Sequence, residues 1–285
     1  MTTWLVTGVT GTLGGNAAIH LRGHVDVVGL ARDGRALPWC PSVIAGDLLD
    51  PDSLRRAVDA VQPDVILHCA ALADHGACER DPEIAEAVNV VGSEVLASTG
   101  SGRFVLISTD AVFSGDSGDY QETDPVSPTT VYGRTKVEAE QRVLATDAAL
   151  VVRTNFFGWS PSGTRSILEF FVRELSQGNR VPGFTNYTVT SSFVGDLLPR
   201  IHGLVEGGHA GIVHMASSDA QSKYEFGCLV ADVFGFDAGL IEPSLSPISN
   251  RDLSLNCDRV ENLLGQSVPT QRAGIERARQ EGSPF

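Results

Sequence analysis

The chain has 285 residues, enough for one large domain or two small ones with a substantial buried core. Its formal net charge of −14 argues against non-specific nucleic-acid binding and against docking on an anionic membrane, while helix N-termini and a few local arginines can still hold a phosphorylated ligand. Five scattered cysteines fit a reduced, cytoplasmic protein, and neither a signal peptide nor an apolar run of about 20 residues stands out.

Thr3–Thr7 is β-branched and apolar, the pattern of a buried strand. The turn Gly8-Val9-Thr10-Gly11-Thr12-Leu13-Gly14 follows at once, and a helical stretch runs on to about Leu21. A glycine turn at a first strand-to-helix junction lets backbone N–H groups approach a pyrophosphate, which the helix N-terminus attracts. The spacing is G-x-x-G-x-x-G. Val25–Leu30 reads as the second strand. Arg32 just beyond it suits a 2′-phosphate and hence NADPH, whereas Asp33 keeps NADH open. A third strand, Val43–Leu48, brings Asp47 to a place where it could bond an adenine amino group and Leu48 to one where it could pack on the ring; Asp47 reads equally well as a turn residue.

A helix is predicted over 52–61, and Asp64–His68 is the fourth strand. It leads into Cys69, Ala70 and Ala71, small residues over which a cofactor could cross the sheet edge. The neighbours His68, Cys69, His75 and Cys78 do not match the spacing of a zinc site, so no metal is expected. A long helix over 82–98 follows, with Asn89 interrupting its apolar face; a buried amide there must bond backbone. The fifth strand, Arg103–Ile107, ends in Ser108-Thr109-Asp110, hydroxyls placed to hold a substrate carbonyl or simply to cap a turn.

After a polar loop over 114–130, a helix to about Ala145 carries Tyr132 and Lys136. Residues four apart share a helix face. An ammonium near a phenol lowers its pKa, making Tyr132 a candidate general acid. The sixth strand, Ala149–Arg153, ends in Thr154, Asn155 and Phe156. Alternating βα units to this point predict an α/β fold with a doubly wound parallel sheet. Beyond Gly158 the segments shorten: helices near 164–176, 194–205 and 223–234, strands near 180–182 and 212–215. They suggest a smaller lobe closing a substrate pocket.

The ordered set Gly8-x-x-Gly11-x-x-Gly14, Ser108-Thr109-Asp110 and Tyr132-x-x-x-Lys136 resembles the extended short-chain dehydrogenase/reductases. Within them it looks most like the dTDP-4-dehydrorhamnose reductases, on Asn89–Gly92, Phe104–Phe113, Tyr120–Glu122, Pro128–Lys136, Val152–Thr154, Lys223–Phe226 and Asp252–Leu255. The resemblance implies a Rossmann-type domain over 1–158 and a mainly substrate-binding α/β lobe over 159–285, with some segments returning to the main domain. It implies catalysis by Thr109, Tyr132 and Lys136, with Lys136 also on the nicotinamide ribose, and NADPH, or alternatively NADH, as hydride donor. The glycine turn, Arg32, Asp47, Leu48, Cys69, Ala70, Ala71, Asn89 and Arg153 would bind the cofactor. Ser108, Thr109, Asp110, Tyr132, Asn155 and Phe156 would meet a nucleotide-linked 4-keto-6-deoxyhexose.

Departures from that subgroup touch the sugar rather than the hydride chemistry. Ala111 replaces a usual tyrosine, and Phe156 a sugar-contacting tryptophan. An arginine–proline pair falls on Ser249-Asn250, with Arg251 adjacent. A glutamate tied in some members to a metal-bridged dimer is missing around Gly15 and Asn16, which leaves a homodimer open. Ala111 cannot do the proton transfer of a 4,6-dehydratase, and epimerase chains are usually longer. The alternatives are a ketoreductase of an antibiotic deoxysugar pathway and a non-catalytic cofactor-binding subunit like the methionine adenosyltransferase β-subunit.

Overall fold

The computed structural model describes residues 1–100, 102–146, 148–246 and 251–285. The position of the arginine–proline pair, Ser249-Asn250, lies outside them. The first half alternates strands β1 (Thr3–Thr7), β2 (Asp26–Ala31), β3 (Val43–Ala45), β4 (Val65–His68), β5 (Arg103–Thr109) and β6 (Leu150–Thr154) with helices. These are α1 (Thr12–His20), α2 (Pro51–Val61), α3 (His75–Arg80), α4 (Pro82–Glu86), α5 (Gly92–Ala97) and α6 (Val131–Leu144). The second half adds helices α7 (Ile167–Ser176), α8 (Val194–Glu206), α9 (Lys223–Phe234), α10 (Asp258–Leu264) and α11 (Gln271–Glu281). Its strands are β7 (Phe156–Phe157), β8 (Val181–Phe184), β9 (Tyr187–Val189), β10 (Ser192–Phe193), β11 (Gly211–His214), β12 (Gln221–Ser222), β13 (Ile241–Ser244) and β14 (Arg251–Asp252).

Seven strands form one parallel sheet in the order β11-β6-β5-β4-β1-β2-β3. Its apolar strands are buried on both faces, and the two-residue period sorts them into two cores. Trp4, Val6, Val65, Leu67, Val105 and Val152 pack on one side, and Leu5, Ile66, Phe104, Leu106 and Val151 on the other. Strand order reverses between β1 and β4, which opens a crevice at the carboxyl ends of those strands. β11 comes from late in the chain and pairs with β6, so the second half completes the main sheet. Three small sheets, β10–β7, β12-β9-β14 and β13–β8, build the rest of that half. Among the described residues, no helix is long and apolar enough to cross a membrane.

Three local differences from the sequence reading bear on the crevice. The helix expected over 82–98 is broken into α4, a π-turn over Ala87–Val91 and α5. Asn89 sits in the middle of that wide turn, buried, a common place for a functional constraint. α3 was not anticipated; Asp74 caps it by accepting the Ala77 N–H at 2.6 Å. β3 stops at Ala45, and Asp47 turns the chain by accepting the Leu49 N–H at 3.0 Å.

Candidate active site

The glycine turn packs tightly because side chains are missing. A Cβ on Gly14 would stand 2.4 Å from the Gly8 carbonyl oxygen, so only glycine lets α1 close on β1 here. Gly11 N–H donates to that same carbonyl at 2.8 Å. No side chain caps α1, so its first N–H groups are available to an anion. Beside the turn lies a cleft of about 940 Å³, in the size range of small-molecule sites. Gly8, Thr10, Gly11, Arg32, Asp47, Leu48, Cys69, Ala70 and Ala71 all line it. Thr12, Leu13 and Gly14 form the first turn of α1; the Leu13 side chain is buried in the core, so that residue can offer only its backbone. Asp33 is paired with Arg35 at 3.4 Å, while the exposed Arg32 guanidinium makes no ion pair or hydrogen bond among the described residues. Uncapped donors, a glycine cradle and a free guanidinium fit a phosphorylated dinucleotide.

Three side chains read as ligand contacts have internal partners. Asn89 accepts the Leu72 N–H at 2.8 Å and donates to the Leu72 carbonyl at 3.1 Å and to Thr135 Oγ1 at 3.0 Å. It bonds backbone, as a buried amide must, but it ties the loop after β4 to α6 and does not line the cleft, where Val88 stands instead. Arg153 is buried and gives its guanidinium to Glu140, with Nη2 2.7 Å from Oε2, and packs on the Phe113 ring. Ser108 Oγ donates to the other Glu140 oxygen at 2.5 Å. In β5 successive side chains alternate, so Ser108 faces this ion pair while Thr109 faces the site. Arg153 and Ser108 thus brace α6 from beneath, with their polar groups turned to Glu140.

Thr109, Tyr132 and Lys136 converge where β5 ends and α6 begins. Thr130 caps α6 by accepting the Gly133 N–H at 3.1 Å, and Glu79 of α3 accepts the Val131 N–H at 2.8 Å. A Cβ on Gly133 would stand 2.3 Å from the Ala111 carbonyl oxygen, so glycine lets the first turn of α6 lie against the turn after Thr109. Lys136 Nζ is buried and donates to the Ile107 carbonyl at 2.8 Å. Burial draws its pKa down to about 8, with Glu140 and Cys69 acting the other way. Because Glu140 is already paired with Arg153, Lys136 keeps an unpaired positive charge in the site.

Tyr132 departs from expectation. Burial, followed by the charge of Asp110, pushes its phenol above the usual range, and the Thr109 hydroxyl opposes that rise. Lys136 does not bring it down, because its ammonium is held on the Ile107 carbonyl. The phenol is thus firmly protonated, the state a proton donor needs. Asp110 is buried, accepts from Thr109 Oγ1 at 3.0 Å and Asn155 Nδ2 at 2.8 Å, and has its pKa raised to about 6 by burial. Asn155 in turn accepts from Ser191 at 2.8 Å, so it positions Asp110. Phe156 is half-buried against the main core.

Several residues near this centre escaped the sequence reading as site residues. The His75 ring is 4.9 Å from the Tyr132 ring, and its pKa is lowered by burial, with Arg251 and Lys223 adding to the effect. The Lys223 ammonium lies 5.1 Å from the Tyr187 ring and 5.6 Å from the Phe184 ring, within the field of Asp110. Arg165 enters the cleft from the second half. The capping-box patterns Ser222–Glu225 and Ser166–Glu169 mark where α9 and α7 begin, and so where Lys223 and Arg165 stand, but no local signal says what they face.

A doubly wound sheet with Thr, Tyr and Lys at the end of β5 and the start of α6 defines an oxidoreductase of the extended short-chain dehydrogenase/reductase class. Residues 1–281 match the RmlD substrate binding domain family, and the chain belongs to that family. It is 34% identical over 281 residues to a probable low-salt glycan biosynthesis reductase, Agl14, of Haloferax volcanii, covering 93% of each chain. It is 30% identical over 284 residues to methionine adenosyltransferase 2 subunit beta of Danio rerio, covering 93% of this chain and 85% of that one. In fold it is similar to a dTDP-4-dehydrorhamnose reductase of Bacillus anthracis solved with NADP, with a TM-score of 0.89, 21% identity and 99% of each chain covered.

Proposed function

We propose that the protein uses NADPH, with NADH as a weaker alternative, to reduce the C4 ketone of a nucleotide-linked 4-keto-6-deoxyhexose. The observation that carries the reading is the convergence of Thr109, a protonated Tyr132 and a cationic Lys136 beside a cleft suited to a dinucleotide. The bound cofactor supplies the hydride. Tyr132 gives its proton to the carbonyl oxygen as that oxygen gains charge, and the Thr109 hydroxyl orients the same oxygen. Lys136, its ammonium held on the Ile107 carbonyl, adds positive charge to the site and would bond the cofactor ribose. Arg32, free beside Asp47 and Gly46, favours the 2′-phosphate. Lys223 and Arg251 act electrostatically on His75, whose ring lies 4.9 Å from that of Tyr132, and suit an anionic, nucleotide-linked substrate.

Purified protein is expected to oxidise NADPH with a panel of 4-keto-6-deoxyhexose nucleotides. Tyr132→Phe should lower kcat by roughly 10²–10⁴-fold with cofactor affinity little changed. The product's C4 configuration separates a rhamnose-type reductase from one serving an antibiotic deoxysugar. A second reading draws on the relatives that are methionine adenosyltransferase β-subunits: a cofactor-binding partner protein without turnover. Wild-type protein that binds NADPH tightly yet turns over none of the panel would sink the enzymatic reading in favour of that one.

A further inference from the structure

Arg165 reaches the glycine turn from outside the segments that build the sheet. It closes the loop between Ser160 and the start of α7, and it lines the same cleft as Gly8, Thr10 and Gly11. Its Nη1 lies 4.0 Å from the point where a Cβ on Gly11 would stand, directly over the uncapped start of α1. The guanidinium makes no ion pair or hydrogen bond among the described residues, although the chain carries 35 acidic residues. The backbone beneath it is held firmly. Glu169, 3% exposed, accepts from Arg165 N at 2.9 Å, Ser166 N at 3.0 Å, and both the N–H and the hydroxyl of Ser160. A buried carboxylate with no cationic partner among the described residues thus fixes the loop that presents Arg165.

The two unpaired arginines of the cleft stand at different ends of a dinucleotide. Arg32 borders Gly46 and Asp47, beyond the adenosine end of the sheet. Arg165 borders the glycine turn, where the diphosphate would lie. We propose that Arg165 is a pyrophosphate-binding residue, a guanidinium from the second half of the chain that closes over the cofactor's diphosphate and is positioned by Glu169. The proposal rests on the dinucleotide reading above. A planar guanidinium can take two phosphate oxygens at once, which suits it to this role better than a lysine.

Equilibrium binding of NADPH, NADH and adenosine 2′-monophosphate to wild-type, R165Q and R32Q protein tests this, with no sugar present. Adenosine 2′-monophosphate carries the 2′-phosphate and neither phosphate of the diphosphate. R165Q is expected to weaken NADPH and NADH alike, by about tenfold, and to leave adenosine 2′-monophosphate within about twofold of wild type. R32Q is expected to weaken NADPH and adenosine 2′-monophosphate and spare NADH. E169Q should reproduce part of the R165Q loss; Arg165 is itself exposed, so R165Q decides even if E169Q fails to fold. The proposal is overturned if R165Q binds NADPH as wild type does, or if it loses adenosine 2′-monophosphate in the same proportion. Failure of the dinucleotide reading is distinguishable, because wild-type protein would then bind neither NADPH nor NADH.

Discussion

The buried Arg153–Glu140 pair gives the sharpest test. Its side chain and that of Glu140 are 3% and 4% exposed and meet at 2.7 Å, with Ser108 sharing the carboxylate. Arg153→Met keeps much of the volume and leaves Glu140 buried without its main partner. Breaking a buried pair in this way costs roughly 3–5 kcal/mol. Lys136, one turn earlier on α6, already feels the Glu140 charge and partly compensates it, which places the cost near about 3 kcal/mol. For a chain of this size the melting temperature should fall by about 6–9 °C. Arg153→Met/Glu140→Gln removes both charges and keeps an acceptor for Ser108, and it should recover at least half of the loss. Thermal unfolding followed by circular dichroism reads the stability, and NADPH titration of the same samples reads the site. If Arg153→Met melts within about 2 °C of wild type while its cofactor affinity collapses, the assignment to a supporting ion pair is wrong and Arg153 is a cofactor contact after all.

Two further outcomes follow from the same region. The fold raises the Asp110 pKa from its ordinary 3.8 to about 6, so it favours the protonated carboxyl. That contribution is fully present below pH 3.8 and is lost as pH rises through about 6, an effect of at most about 3 kcal/mol. Wild type should therefore gain melting temperature relative to Asp110→Asn as pH is lowered from 6 towards 4, and parallel profiles would dismiss the shift. Gly133→Ala would drive a methyl against the Ala111 carbonyl oxygen; it should cost about 1–3 kcal/mol and lower kcat more than it raises KM, as steady-state kinetics can show.

Much of the protein was legible in its order of residues. Fully apolar strand runs identify strands covered on both faces, and alternation with helices implies a parallel doubly wound sheet. The Gly8–Gly14 turn, and Tyr132 and Lys136 one helical turn apart, are local patterns whose chemistry follows from spacing. α9 begins at Lys223 because Ser222 and Glu225 form a capping box that a reader can see.

Tertiary structure decided what each polar group faces. Arg153 and Ser108 stand beside residues of the site in sequence, but the strand's two-residue alternation and the buried Glu140 turn them inward. Tyr132 and Lys136 share a face, yet the Ile107 carbonyl claims the ammonium, so burial rather than a neighbouring charge sets the phenol's protonation. Arg165 meets the glycine turn across about 150 residues of chain, and Gly211–His214 returns to the first sheet as its seventh strand. Local sequence carries backbone preference and periodicity, which act within a few residues. Which buried charge finds which partner depends on contacts between distant segments, and those exist only once the chain has packed.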